Sequence, residues 1–89
     1  EVGSALRYIR ERFDGKGYPD KMKGEDIPLT SRILAVADTY GSMIEPRPYR
    51  EAYSHENALR EIAKNKGTQF DPVVVDAFLK AVSVQGTVQ

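Results

Sequence analysis

The sequence contains no cysteine, so neither disulfides nor thiolate metal sites can hold this chain together. It has no net charge: thirteen basic and thirteen acidic side chains balance. No global field therefore draws it to nucleic acid or to an acidic membrane, and any anion binding must be local. It has no apolar run approaching the length of a membrane span and no signal-peptide pattern at its start. The composition reads as a soluble, cytoplasmic chain. Strand pairs, internal repeats and low-complexity tracts are also missing. Its one histidine, His55, opens a helix outside every motif and reads as a surface residue. At 89 residues the chain is one small domain at most. Its 40% hydrophobic content suits a domain that leans on something else for part of its core.

What is present reads as all-α, four helices with one long loop. Leu6, Ile9 and Phe13 fall at helical spacing with Ala5 beside them, predicting a helix over 2–13. That helix starts almost at residue 1 with only a weak Gly3-Ser4 signal, so the expectation is a chain cut from a longer protein. Residues 14–28 form a loop rich in glycine and charge. Met22, Ile27, Pro19 and Pro28 mark it as ordered and pinned by a few anchors. From Pro28 to about Ile44 runs the most apolar helix. Ile33, Ala37, Tyr40 and Ile44 share one face, which Leu34 and Val36 widen. Ser54 caps the next helix, whose inner stripe is Ala58, Leu59, Ile62 and Ala63, and Gly67 closes it. The last has the clearest start: Asp71 as N-cap, Pro72 at the first position, and Phe70 stapled onto Val75. Val74, Phe78, Leu79 and Val82 complete its face, with a frayed tail expected at 85–89.

Three stretches are specific. Arg12-Phe13-Asp14-Gly15-Lys16-Gly17-Tyr18-Pro19 reads as a helix end entering a tight turn, with Gly15 and Gly17 allowing positive φ and Pro19 fixing the exit. Ile27-Pro28-Leu29 leads into Ala35-Val36-Ala37-Asp38, which puts one acid on a greasy helix. Arg47-Pro48-Tyr49-Arg50 is a stiff basic-aromatic segment. Together they resemble the C-terminal half of the HD-GYP family, metal-dependent phosphohydrolases that open cyclic di-GMP. The resemblance covers roughly residues 5 to 83 and implies a helical fragment of the HD-domain fold.

Multi-metal phosphodiester hydrolysis needs several histidine and carboxylate ligands converging on divalent ions, iron or manganese in this family. The family pattern puts adjacent histidines at the positions held here by Ile9 and Arg10, and a metal-binding acid at Asp38. Ile9 has no lone pair to donate, and Arg10 brings a positive charge where cations belong. Asp38 is the one ligand position retained, and the family's upstream His-Asp pair is not in the chain. Gly41 and Pro46 also depart from the pattern. The resemblance thus implies a degenerate domain with no metal and no catalytic residue of its own. The residues it singles out for ligand binding or interaction are Gly17, Tyr18, Pro19, Arg47 and Arg50. Plainer roles stand beside these. Asp38 reads equally as a buried or half-buried acid tied to an arginine or a backbone donor, Gly17 to Pro19 as loop shape, and Arg47 and Arg50 as a solvated face with Tyr49 packed inward. Glu11 and Asp14 read as surface partners of Arg10, Arg12 or Lys16. The partners implied are cyclic di-GMP, a diguanylate cyclase or other signalling domain, and a second copy of the chain.

Overall fold

Among the described residues the chain forms four α-helices, α1 (Val2–Arg7), α2 (Leu29–Ile44), α3 (His55–Lys64) and α4 (Pro72–Val88), with one 3-10 turn at Gly24–Asp26 in the loop before α2. The computed structural model describes the backbone of residues 2–88 and the side chains of residues 5–82. Helices α2, α3 and α4 enclose a core of Val36, Ile62, Phe70 and Val75, each at most 2% exposed. Tyr40, Met43, Phe78 and Leu79 pack around it. The expected all-α class holds. No strand forms among the described residues, and the bridges Arg47 to Arg50 and Lys66 to Phe70 are isolated.

Local signals set the two C-terminal helices. The Ser54 side chain accepts the Asn57 N–H at 3.1 Å and caps α3. Ser54→Ala is expected to lower stability by about 1 kcal/mol, read as a shift of the thermal unfolding midpoint. Asp71 Oδ1 accepts the N–H groups of Val73 (2.8 Å) and Val74 (3.4 Å), which caps α4, and Phe70 and Val75 are both buried as the staple requires. Helix α4 continues through Val88, so the tail expected to fray is helical that far. Gln89 lies outside the described residues. Ala63, read as part of the inner stripe of α3, is exposed.

The N-terminal helix is shorter than its periodicity predicts. It stops at Arg7, and residues 8–10 are turns in which Tyr8 and Ile9 donate to carbonyls three residues back, Ala5 and Leu6. Farther along, Phe13 N–H donates to Gln69 O (3.1 Å) and Asp14 N–H to Thr68 O (2.8 Å). These groups spend their hydrogen bonds on the α3–α4 connection instead of on a helical ladder, so a tertiary contact overrides local propensity. Ser31, buried on α2, donates to Ala5 O at 2.9 Å and fixes α1 against it.

The apolar stripe of α2 divides. Val36 is fully buried, whereas Leu29 and Ile33 are about half exposed. With Val73, Val74, Ala77 and Phe78 of α4 they line an open apolar groove.

Candidate functional site

The loop between α1 and α2 is built around a buried acid. Glu11, 4% exposed, accepts the N–H groups of Asp20 (2.7 Å) and Met22 (2.8 Å) through its two carboxylate oxygens. Reading Glu11 as a surface partner of Arg10, Arg12 or Lys16 is thereby corrected. Asp14 does take a surface partner: Arg12 donates to it through Nε (3.1 Å) and Nη2 (3.0 Å). That bidentate contact, followed by the Lys16 N–H and opposed by desolvation, holds Asp14 below the usual carboxylate range.

Gly15 adopts the expected left-handed backbone, at φ +84°. Gly17 does not, and what it needs is space. A Cβ there would lie 2.4 Å from Arg10 O, 2.5 Å from Arg12 N and 2.8 Å from Glu11 Cα. All three are backbone atoms and none can rotate away. Gly17→Ala is therefore expected to cost about 1–3 kcal/mol through overpacking, read by urea unfolding. Tyr18, joined to Pro19 by a cis peptide bond, stands 55% exposed. Its hydroxyl accepts a hydrogen bond from Arg10 Nη1 at 2.6 Å. That bond chiefly, with a contribution from Asp38, raises Arg10 above the ordinary guanidinium value.

Asp38 is exposed on α2, which removes the reading of a buried acid tied to an arginine. It lines two cavities. One, of about 530 Å³, brings Asp38 together with Ile9, Arg10, Tyr18, Thr39 and Gln69. The other, of about 580 Å³, is lined by Asp38 with Gly41, Ser42, Glu45 and Arg47. The fold thus gathers at one place the two positions where the family pattern has histidines and the one where it has an acid. What occupies them is an alkyl chain, a guanidinium and a single carboxylate. These do not fit a divalent ion: Ile9 donates nothing, Arg10 repels cations, and one carboxylate is a poor ligand set. Among the described residues no group of three or more His, Cys, Asp or Glu side chains converges.

The Arg47–Arg50 segment is a tight turn closed by Arg47 N–H to Arg50 O (3.1 Å) and Arg50 N–H to Arg47 O (3.3 Å). Both guanidiniums turn toward the end of α2. Arg50 donates to Ser42 O (3.0 Å) and Met43 O (3.4 Å), carbonyls of the last turn of α2, and to Glu51 O (3.2 Å) in the loop that follows. Arg47 Nη2 donates to Ser42 Oγ at 2.8 Å, and its Nε is buried without a partner among the described residues. Tyr49 is 80% exposed at the tip, which corrects the alternative that packs it inward. Of the five residues singled out for binding, Tyr18 and Arg47 thus reach cavities shared with Asp38. Gly17 packs against the backbone of residues 10–12, Pro19 continues the exposed loop, and Arg50 closes a helix end. His55 has a role that sequence reading did not give it, a 2.7 Å hydrogen bond with the Tyr40 hydroxyl.

The chain is similar to known proteins in sequence and in fold. Over 69 residues the chain is 51% identical to a probable cyclic di-GMP phosphodiesterase of Vibrio cholerae, covering 78% of this chain and 16% of that protein. Over 82 residues it is 49% identical to the cyclic di-GMP phosphodiesterase response regulator RpfG of Xanthomonas campestris, covering 90% of this chain and 21% of that protein. The chain therefore spans about a fifth or less of the length of these relatives. A crystal structure of a cyclic GMP-AMP-specific phosphodiesterase of Vibrio cholerae superposes with a TM-score of 0.80 at 33% identity, over 92% of this chain and 18% of that one. Residues 1–74 match the family model described as HD domain. On that match the chain belongs to the HD-domain family.

Proposed function

We propose that the chain is a non-catalytic signalling or protein-interaction module of the cyclic di-GMP system, the C-terminal portion of an HD-GYP domain that no longer hydrolyses its nucleotide. One observation carries the reading: Arg10 and Ile9 share a cavity with Asp38, at the positions where metal-binding imidazoles would be needed. Metal-assisted hydrolysis requires ions to activate water and neutralise phosphoryl charge; of these side chains only Asp38 can ligate an ion, and the Arg10 guanidinium repels one. The surfaces left for function are the hydrogen-bonded loop that presents Tyr18 and the turn that presents Tyr49, both exposed aromatics next to arginines. Exposed tyrosine and arginine on ordered backbone suit protein docking, since little conformational entropy is lost on binding. A diguanylate cyclase domain is the partner this reading favours.

A second reading, a cyclic di-GMP receptor without hydrolysis, is favoured by Arg47, whose unpartnered Nε lies in a residue that lines the second Asp38 cavity. Arg50, committed to carbonyls at the end of α2, supports it less.

Incubating the full-length protein with cyclic di-GMP and manganese(II) tests both. No linear dinucleotide is expected. Calorimetric binding abolished by Arg47→Ala would put the receptor reading ahead, and product formation would overturn both.

A further inference from the structure

We propose that Arg10 is the resident cation of the Asp38 cavity: it supplies fixed positive charge between the Gly-Tyr-Pro loop and α2, and so keeps that loop ordered without a metal ion. The inference rests on the metal-free reading above and adds a role for the residue that stands in the way of a metal.

Arg10 is tied to the loop in two places. Its Nη1 donates to the Tyr18 hydroxyl at 2.6 Å, with the guanidinium carbon 5.9 Å from the Tyr18 ring centroid, and its carbonyl accepts the Tyr18 N–H at 3.4 Å. Across the same cavity stands Asp38, exposed, with no ion pair within 4.0 Å among the described residues. The other arginines nearby are committed elsewhere. Arg12 is held bidentately by Asp14, and Arg7 pairs with Asp20 at 3.6 Å. Of the two arginines that line this cavity, Arg10 is the one whose direct partner is neutral; Arg47, on the second Asp38 cavity, donates to Ser42 Oγ and lies 3.6 Å from Glu45. Ligand side chains at positions 9, 10 and 38 would tie the turn after α1 to α2 if they held a divalent ion. A guanidinium anchored on Tyr18 does so by charge and a hydrogen bond, which is weaker, permanent and independent of metal supply. Because both partners are exposed, the effect is screened by salt.

Arg10 is thus a positioning residue, and its charge is separable from its bulk. Hydrogen exchange of the amides of residues 16–22 in the full-length protein, at low and high salt, tests the assignment. Arg10→Gln is expected to speed exchange there about three- to tenfold at low salt while the amides of α3 stay unchanged. Arg10→Lys should restore most of the protection, and Tyr18→Phe should fall between. Raised salt should shrink the difference between parent and Arg10→Gln. Unchanged loop exchange in Arg10→Gln, or no rescue by lysine, would overturn the inference while leaving the metal-free reading standing. A melting temperature of the parent that rises with manganese(II) and falls with chelator would overturn both.

Discussion

Replacing Arg32 by alanine is expected to destabilise the domain by about 3–5 kcal/mol, the effect of leaving a buried charge without its partner. Arg32 Nη1 donates to Asp71 Oδ2 at 2.6 Å, and the two side chains are 14% and 5% exposed. The same guanidinium donates through Nε to Ile27 O at 2.9 Å, and so pins the end of the loop to α2 and α4 at once. Asp71 in turn caps α4. Truncating Arg32 strands that carboxylate beside Phe70 and Val75, and small domains have only about 5–15 kcal/mol in total. Urea unfolding followed by circular dichroism at neutral pH measures the loss. The pair also sets a pH dependence. Burial alone would push the Asp71 carboxyl up, but Arg32 and the Val73 and Val74 N–H groups outweigh it and hold the carboxyl below its ordinary value. A depressed folded-state value means stability that is present above the ordinary carboxylate range and is lost as pH falls through the lower folded value. Arg32→Ala should lose most of that acid-side slope.

Glu11→Ala is expected to cost about 3 kcal/mol or more, since each hydrogen bond to a charged acceptor contributes about 1.5–3 kcal/mol and two are lost together. The N–H groups of Asp20 and Met22 have their bonds in this carboxylate. Their release should unpin the Gly-Tyr-Pro loop and with it the Tyr18 hydroxyl that holds Arg10. Global unfolding in urea gives the size of the loss. Amide exchange at residues 20 and 22 locates it, and protection there equal to that of the parent would remove Glu11 from this role.

What could be read in the sequence was local in space as well as in sequence. Asp71-Pro72 and Ser54 announce their helices because a cap and its N–H groups lie within three residues of each other. The loop anchors were hidden by distance. Glu11 binds groups nine and eleven residues away and Arg32 a carboxylate thirty-nine residues away, so each looked like one more charged side chain. The glycine at position 17 reads locally as conformational freedom, whereas its requirement is close approach to the backbone of residues 10–12, a contact no local pattern encodes: Gly17 has no room for a Cβ. The early end of α1 has the same origin, in the carbonyls of Thr68 and Gln69. At the site, the residue types at positions 9, 10 and 38 could be read directly. That Asp38 is exposed and faces Arg10 across one cavity required the fold.

Arg10 and Ile9 stand where imidazoles would hold ions, and metal content tests the consequence most directly. The full-length protein, purified after growth with added iron and manganese, should carry far less than one divalent ion per chain by elemental analysis. One or more tightly held ions per chain, with a ligand set that includes Asp38, would contradict it.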